Sequence, residues 1–507
     1  MRSNVWDQGA PSHVGRKSLK IMNDQTHVDL QSIARQVMLD HGFEPDFPPA
    51  VQQQVASLSQ KPPLPSSGGD VRDLRSLLWS SIDNDTSRDL DQIEVAQQLP
   101  NGDVKILIGI ADVDADVPQA SPIDQHASSQ ATTVYTGVKN FSMIPETLST
   151  GLTSLLEKQD NAAVVIEFVV SNDGHVKSND LYRALVHNHA QLTYSGVGAW
   201  LEGAAAAPPK VAASSDLQAQ LKLQNTVAQA LREQRYRHGA LNIETIEVRP
   251  VVINDQVADV VRQEKNRATD LIEDFMIAAN EVVARALAAE SSIRRVVKTP
   301  ERWERIVALA AAQGGHLPAQ PDSKALNDFL MQRKAAAPTH FADLSLAVIK
   351  LMGPGEYILE RPGDPDVGHF GLAVQDYTHS TAPNRRFADL VTQRLVKSLL
   401  KKGSNPYSDG DLDGIAKNCT AREDAARKVE REMTKRTSAI AMSNRIGEVF
   451  DAIVTGANTK GTFVRVLKPH VEGMLVQGAQ GLDVGDNLKA KLVRTDVQKG
   501  YIDFAKA

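Results

Sequence analysis

Hydrophobic positions along the chain follow two periods, and together they predict a mixed α/β protein. The β-branched runs at 104–113 and 162–170, with a further stretch at 180–192, are typical of strands. Apolar residues at helical spacing fill 268–287, and the long charged stretch 411–445 is also expected to be helical. No glycine- and proline-rich break divides this region, so we expect one large α/β (α+β) domain over 71–440.

The two ends of the chain show different patterns. Residues 1–24 have little periodicity and are predicted to be a flexible tail, whereas 25–59 fit a small helical domain with Asp29 as an N-cap. That domain is either of helix-turn-helix type or a hairpin docked on its neighbour. The composition of 60–70 predicts a linker. At 447–507, five short apolar stretches separated by glycine turns predict an all-β OB-fold barrel.

An acidic segment before the 104–113 strand carries the candidate chemistry. Asp83, Asp85, Asp89 and Asp91 stand within nine positions and repel one another unless solvent or a cation separates them. Oxygen ligands suit Mg²⁺, Mn²⁺ or Ca²⁺ better than zinc. Two alternatives are a solvated acidic turn and a calcium loop of the EF-hand kind ending at Glu94. The calcium loop requires flanking helices and a central glycine, and neither is predicted here.

Two stretches resemble one known family. Residues 81–92, Ser-Ile-Asp-Asn-Asp-Thr-Ser-Arg-Asp-Leu-Asp-Gln, resemble the Thr-Ile-Asp-x5-Asp-Leu-Asp-Asp motif of the RNase II / RNase R (RNB) exoribonucleases. Far downstream, Asp-Tyr-Thr-His-Ser-Thr-Ala-Pro-Asn-Arg-Arg-Phe-Ala-Asp-Leu within 369–395 is similar to the family signature Tyr-x-His-x-Thr-Ser-Pro-Ile-Arg-Arg-Tyr-x-Asp-Leu. The resemblance extends from residue 71 to the C-terminal barrel.

The resemblance implies an RNB catalytic domain that hydrolyses single-stranded RNA from the 3′ end to nucleoside 5′-monophosphates. It implies a Mg²⁺ site, with Mn²⁺ as the alternative ion, and catalytic roles for Asp91 and for Arg385, which would stabilise the phosphate. The implied metal ligands are Asp83, Asp89, Asp91 and Gln92. The implied RNA-binding residues are Tyr135, Tyr194, Glu273, Arg386, Glu430 and Phe463.

One departure from the family motif leaves a second interpretation open. Gln92 stands where the motif has its last aspartate, so a weakly active or inactive RNA-binding protein is the alternative. Too few residues precede the acidic segment for the two N-terminal barrels of well-known members.

The overall composition adds broader expectations about location and partners. The net charge of -6 does not exclude RNA, because a local basic lining attracts phosphate. The single Cys419 and the absence of an apolar leader or membrane span predict a cytoplasmic protein, which we expect to be monomeric.

Overall fold

The computed structural model describes residues 29–58, 64, 68–253, 256–365, 367–459, 461–482 and 484–507. The predicted tail at 1–24 and most of the predicted linker at 60–70 lie outside these ranges. Within them, no helix combines the length and apolar character needed to cross a membrane.

The core of the α/β domain is a six-stranded sheet with an adjacent two-stranded hairpin. The predicted strand regions at 104–113, 162–170 and 180–192 are confirmed as members of this sheet. Its strands are β1 Val71–Asp73, β2 Trp79–Asp83, β3 Gln92–Gln98, β4 Val104–Ala111, β7 Asp160–Val170 and β8 Val176–Thr193, and the hairpin consists of β5 Val134–Tyr135 and β6 Asn140–Phe141.

The sheet closes on itself, with one weak seam. Strand β8 pairs with β7 along one part and with β2 along another, so the pairings run β2-β3-β4-β7-β8 and return to β2. Strands β3 and β4 pair along their whole length, but β2 meets β3 at one residue pair, Ser80 with Glu94. Beyond that pair, the end of β2 lies along β8. The seam therefore opens where Asp83 ends β2 and Asp91 precedes β3.

Helices pack around the sheet largely where the sequence predicts them. The helix predicted over 268–287 is α7, whose apolar residues Leu271 and Phe275 are buried, and the long charged stretch forms α12. The helices are α1 Leu30–Asp40, α2 Pro49–Leu58, α3 Pro122–Gln130, α4 Tyr194–Leu201, α5 Pro209–Ala212, α6 Ser215–Arg237, α7 Arg267–Ala286, α8 Trp303–Ala312, α9 Ser323–Ala336, α10 Phe341–Met352, α11 Phe387–Leu400 and α12 Asp409–Met442.

The N-terminal helices lie against the α/β domain. Asp29 caps α1 as predicted, because its Oδ1 accepts a hydrogen bond from the backbone N–H of Ser32 (3.0 Å). The apolar face of α1 packs on α12 and on the β5–β6 hairpin, which is what the docked-hairpin interpretation predicts. The cluster comprises Ala34, Val37, Met38, Phe43, Val134, Phe141, Ala426, Val429 and Met433.

The C-terminal region is a closed five-stranded barrel with its own core, which confirms the predicted OB-type unit. The hairpin of β9 with β10 and the two-stranded sheet of β11 with β12 are separate from both large sheets, and Val260 of β10 joins the barrel core. The bounds are β9 Glu247–Ile253, β10 Gln256–Gln263, β11 Ser292–Val296, β12 Glu356–Glu360, β13 Val449–Asn458, β14 Gly461–Val466, β15 Val471–Gln477, β16 Asn487–Asp496 and β17 Tyr501–Lys506.

Candidate active site

The predicted acidic residues stand where the β2–β3 seam opens. Asp83 ends β2, and its Oδ1 accepts hydrogen bonds from the backbone N–H of Asn84 (2.7 Å) and from Oγ of Ser87 (2.8 Å). Asp91 directly precedes β3 and is 1% exposed, so the segment is not a simple solvated turn. Strands flank the segment on both sides, which rules out the EF-hand alternative because that motif requires helices.

Asp91 is held by the loop that precedes α11. Its Oδ1 accepts a hydrogen bond from the backbone N–H of Asn384 (2.9 Å), and its Oδ2 accepts one from Nε of Arg385 (3.1 Å). Burial raises the pKa of Asp91 to about 7, and the Arg385 charge offsets only part of this effect. Burial also raises the pKa of Asp83. The site thus holds carboxylates whose charge the protein compensates incompletely.

The β5–β6 hairpin brings Tyr135 to the same place. The Tyr135 hydroxyl donates to Oδ2 of Asp89 (3.3 Å), and its backbone N–H donates to Oε1 of Glu430 on α12 (3.1 Å). The hairpin is fixed to the loop that precedes α11, because the backbone N–H of Thr133 donates to the carbonyl oxygen of Arg385 (3.0 Å). Residues that come from distant parts of the sequence, and that are predicted to form the site, therefore lie close together.

A cavity of about 220 Å³ adjoins these groups. Its lining includes Tyr135, Arg385, Arg386 and Glu430, which the sequence predicts to belong to the site. Sequence reasoning did not assign the other lining side chains, although His379 lies within the downstream motif and could have been found there. The remaining side chains that line the cavity are Ala131, Thr132, Thr133, Tyr357, His379, Ala388, Cys419, Glu423, Ala426 and Arg427.

The two adjacent arginines have different surroundings. Arg386 forms a bidentate pair with the buried carboxylate of Asp389, with both N–O distances at 2.7 Å. Its guanidinium therefore holds the first turn of α11 in place. Arg385 keeps its side chain 43% exposed beside Asp91. Arg385 is consequently the better placed of the two to meet a phosphate.

Three predicted RNA-binding residues lie outside the cavity. Tyr194 follows β8, next to the end of β2, and its pKa is raised by burial and by the charges of Asp83 and Glu94. Phe463 is half-buried on β14 of the barrel.

Glu273 is exposed and paired with Lys265 (2.6 Å), so its predicted role at the RNA stays a prediction. The buried acid of α7 is Asp274, which pairs with Arg232 and Arg235. Residue 274 therefore faces α6, and residue 273 faces solvent.

The residues fit a hard divalent cation by their chemistry. All the candidate ligands are oxygen donors. Among the described residues, Asp91 forms an ion pair with Arg385, whereas Asp83, Asp85 and Asp89 form none. A surplus of negative charge favours a bound cation. No three His, Cys, Asp or Glu side chains in the described ranges already stand in position to hold a metal ion. The predicted ligand set therefore stays a prediction.

These features define an α/β unit with a carboxylate and arginine site where the seam of its sheet opens, followed by an OB-type barrel. The chain belongs to the RNB domain family, whose model matches residues 71–402. A second model, the RNase II-type exonuclease C-terminal S1 domain, matches residues 448–507.

Individual relatives agree with this family. The chain is 29% identical to the Ribonuclease R of Thermotoga maritima over 96% of its own length and 72% of the relative. It spans only 59% of two further ribonucleases R. In fold it resembles the Mycoplasma genitalium RNase R solved with ribose methylated single-stranded RNA (TM-score 0.84, 22% identity, 95% of this chain and 78% of that one).

The fold alone does not decide the activity. Yeast Ssd1, described as a pseudonuclease, has the same fold at a TM-score of 0.70 and 16% identity, over 91% of this chain and 57% of that one. Activity must therefore be argued from the residues of the site.

Proposed function

We propose that the protein is a 3′→5′ exoribonuclease that hydrolyses single-stranded RNA to nucleoside 5′-monophosphates with the help of a divalent metal ion. One observation carries the proposal: Asp89, Asp91, Tyr135 and Arg385 meet beside a cavity although they come from three separate segments. The names of the curated relatives agree with this activity. The barrel, bearing Phe463, would hold the RNA strand upstream.

Each residue of the site has a role that its position supports. Asp83, Asp89 and Asp91, with the amide oxygen of Gln92, would hold Mg²⁺ or Mn²⁺. Bound there, such an ion lowers the pKa of water and offsets phosphate charge.

The remaining roles belong to the groups around the cavity. The exposed guanidinium of Arg385 stabilises charge that develops on the phosphate oxygens. Tyr135 presents an aromatic ring on which a base near the 3′ end can stack, and Glu430 fixes its backbone.

The second candidate is an RNA-binding protein without nuclease activity. Gln92 favours it, because a neutral amide contributes less to metal affinity than a carboxylate. Against it, Asp91 and Arg385 are both present and in contact.

The two candidates are separated by supplying 5′-labelled single-stranded RNA with Mg²⁺ and sizing the products over time. A 3′→5′ exonuclease shortens the labelled strand stepwise, releases mononucleotides and leaves a circular RNA of the same sequence intact. Binding of RNA without shortening, in Mg²⁺ and in Mn²⁺, would establish the inactive protein. Cleavage of the circle would replace the proposal with an endonuclease.

The reduced Cys419 agrees with a cytoplasmic location, which remains part of the proposal.

A further inference from the structure

Glu94 on β3 is a buried glutamate to which the fold gives no hydrogen-bond partner. Its side chain is 0% exposed, and neither of its carboxylate oxygens has a partner among the described residues. Buried polar atoms nearly always find partners, and an unpaired buried carboxylate is costly. Packing alone therefore does not account for a glutamate at this position.

Strand geometry places Glu94 next to Gln92. Alternate residues of a strand point to the same side, so both side chains leave the same face of β3. Their Cα atoms are about 6.6 Å apart, and one ion can contact both side chains.

Glu94 also stands at the last residue pair before β2 and β3 separate. Its partner in that pair is Ser80, whose Oγ likewise lacks a hydrogen-bond partner in the described chain. Three buried oxygen atoms without partners, two from Glu94 and one from Ser80, thus lie at the opening of the seam. Such a group of oxygens is suited to a cation.

The charge that acts on Glu94 is negative and comes from Asp83. Both carboxylates act on the phenol of Tyr194, as do Glu273 and Arg385. No ion pair involves Glu94 in the part of the chain that the structure describes. Two nearby carboxylates are compatible in a buried place when a cation lies between them.

We propose that Glu94 supplies the anionic oxygen that the metal motif lacks at Gln92, and that it helps to hold the divalent ion with Asp83. The family motif places its final carboxylate at position 92, whereas this chain carries that charge two residues later on the same face of the strand. The inference rests on the proposed metal-assisted function but is tested by metal affinity in the absence of RNA.

The experiment is a double-mutant cycle on the full chain, with Mn²⁺ titrated calorimetrically at mildly alkaline pH. Glu94→Gln removes the charge without changing the volume, and we expect it to weaken Mn²⁺ binding at least tenfold. Gln92→Asp alone should tighten binding less than threefold, because the native site already has its charge. The same Gln92→Asp change in the Glu94→Gln background should recover about tenfold, because the charge is then missing.

Two controls make the outcomes decisive. Asp274→Asn removes another buried carboxylate, one already paired with arginines, and should leave the Mn²⁺ affinity unchanged. Asp91→Asn removes a predicted ligand and should weaken it. Two results would show that Glu94 is only a structural acid. Either Asp91→Asn weakens Mn²⁺ binding and Glu94→Gln does not, or Gln92→Asp alone tightens Mn²⁺ binding tenfold. In both cases the inference fails while the proposed function stands. If the native chain neither binds Mn²⁺ nor degrades RNA, the proposed function itself fails.

Should Glu94→Gln not fold, Gln92→Asp still decides the question. A gain below threefold supports the inference, and a gain of tenfold overturns it.

Discussion

Two acidic clusters lie at the end of the sheet where β3 begins and β4 ends, and they differ in how their charge is balanced. The first is the candidate site around Asp91. The second follows β4 and contains Asp112, Asp114 and Asp124. Its three carboxylates meet three cations at short distances: Lys397 contacts Asp112 and Asp114 (both 2.7 Å), Arg394 contacts Asp114 and Asp124 (both 2.8 Å), and Arg183 contacts Asp112 (3.3 Å).

The protonation behaviour of the two clusters follows from this balance. Burial acts to raise the pKa of Asp114, but Lys397 and Arg394 together outweigh it and hold that pKa below its ordinary value. At Asp91 burial prevails over Arg385, and the pKa rises to about 7. A paired acidic cluster is part of the scaffold, whereas an acidic cluster short of cations is prepared for a ligand.

Of all substitutions in the two clusters, Asp91→Asn should have the largest effect on the rate of hydrolysis. The change would remove the charge of a predicted metal ligand at nearly constant volume, so hydrolysis should be abolished while RNA binding survives. Turnover of labelled RNA and a filter-binding assay measure the two properties. A variant that retains more than about a tenth of the native rate, a barrier change under about 1.4 kcal/mol, would remove Asp91 from the metal set.

Arg385→Lys should be nearly as damaging to turnover as Arg385→Ala. A lysine keeps the charge but loses the planar fork that fits phosphate oxygens. Single-turnover rates at saturating RNA measure the effect, and Arg427→Lys, at another arginine lining the cavity, is the matched control. Full activity of the Arg385 lysine variant would transfer the role to Arg386.

In the paired cluster, Lys397→Met should act on stability instead of chemistry. It removes one of the two cations that each of Asp112 and Asp114 contacts and leaves only Arg183 and Arg394 beside them. We expect a loss of about 3–5 kcal/mol in the free energy of unfolding, the range for breaking a buried ion pair. Denaturant unfolding measures this loss, and the rate per folded molecule should stay near the native value.

An exposed lysine pair provides the control for Lys397. Lys417 pairs with Asp413 on the surface of α12, so Lys417→Met should cost only about 0.3–0.5 kcal/mol. Equal destabilisation by the two substitutions would mean that the buried network contributes no more than a surface pair.

The sequence predicted the elements of both clusters but not their different nature. Apolar periodicity identified β4, β7, β8, α7 and the barrel strands, because burial determines that pattern locally. In the sequence, Asp112 and Asp114 are two aspartates at the same spacing as Asp89 and Asp91, so the two pairs look alike. Two of their three cations, Arg394 and Lys397, lie on α11, far along the chain, and only tertiary structure shows which cluster receives them.

The sequence predicted those site residues that the resemblance to the RNB family covers. Asp91, Arg385 and Tyr135 were found by resemblance, and the structure brings them together. Glu94 was noted only as part of a calcium loop, because its lack of partners is a property of the packed sheet. Asp274 was not singled out, because its burial against α6 depends on how α7 packs and not on the sequence around it.

The smallest effect on rate is expected from Tyr135→Ala, which tests whether this ring belongs to the site or to the scaffold. Val134, its neighbour in the hairpin, is fully buried, whereas Tyr135 is 38% exposed and contacts Asp89. If a base stacks on the ring, its loss removes about 1–3 kcal/mol of binding. That loss matters most for short RNA, which retains few other contacts. Initial rates on long RNA should therefore change little, while the limit product becomes longer.

A tyrosine that served only packing would behave differently from this expectation. Its truncation would leave a cavity costing about 3–5 kcal/mol, which would lower the thermal midpoint and leave the product ladder in place. Tyr501→Ala is the matched control, because Tyr501 is 53% exposed on the barrel, away from the cavity. A longer limit product in Tyr135→Ala but not in Tyr501→Ala, at nearly native midpoints, would assign Tyr135 to the 3′ end of the RNA. An unchanged ladder with a large fall in midpoint would assign it to the scaffold, together with the paired cluster.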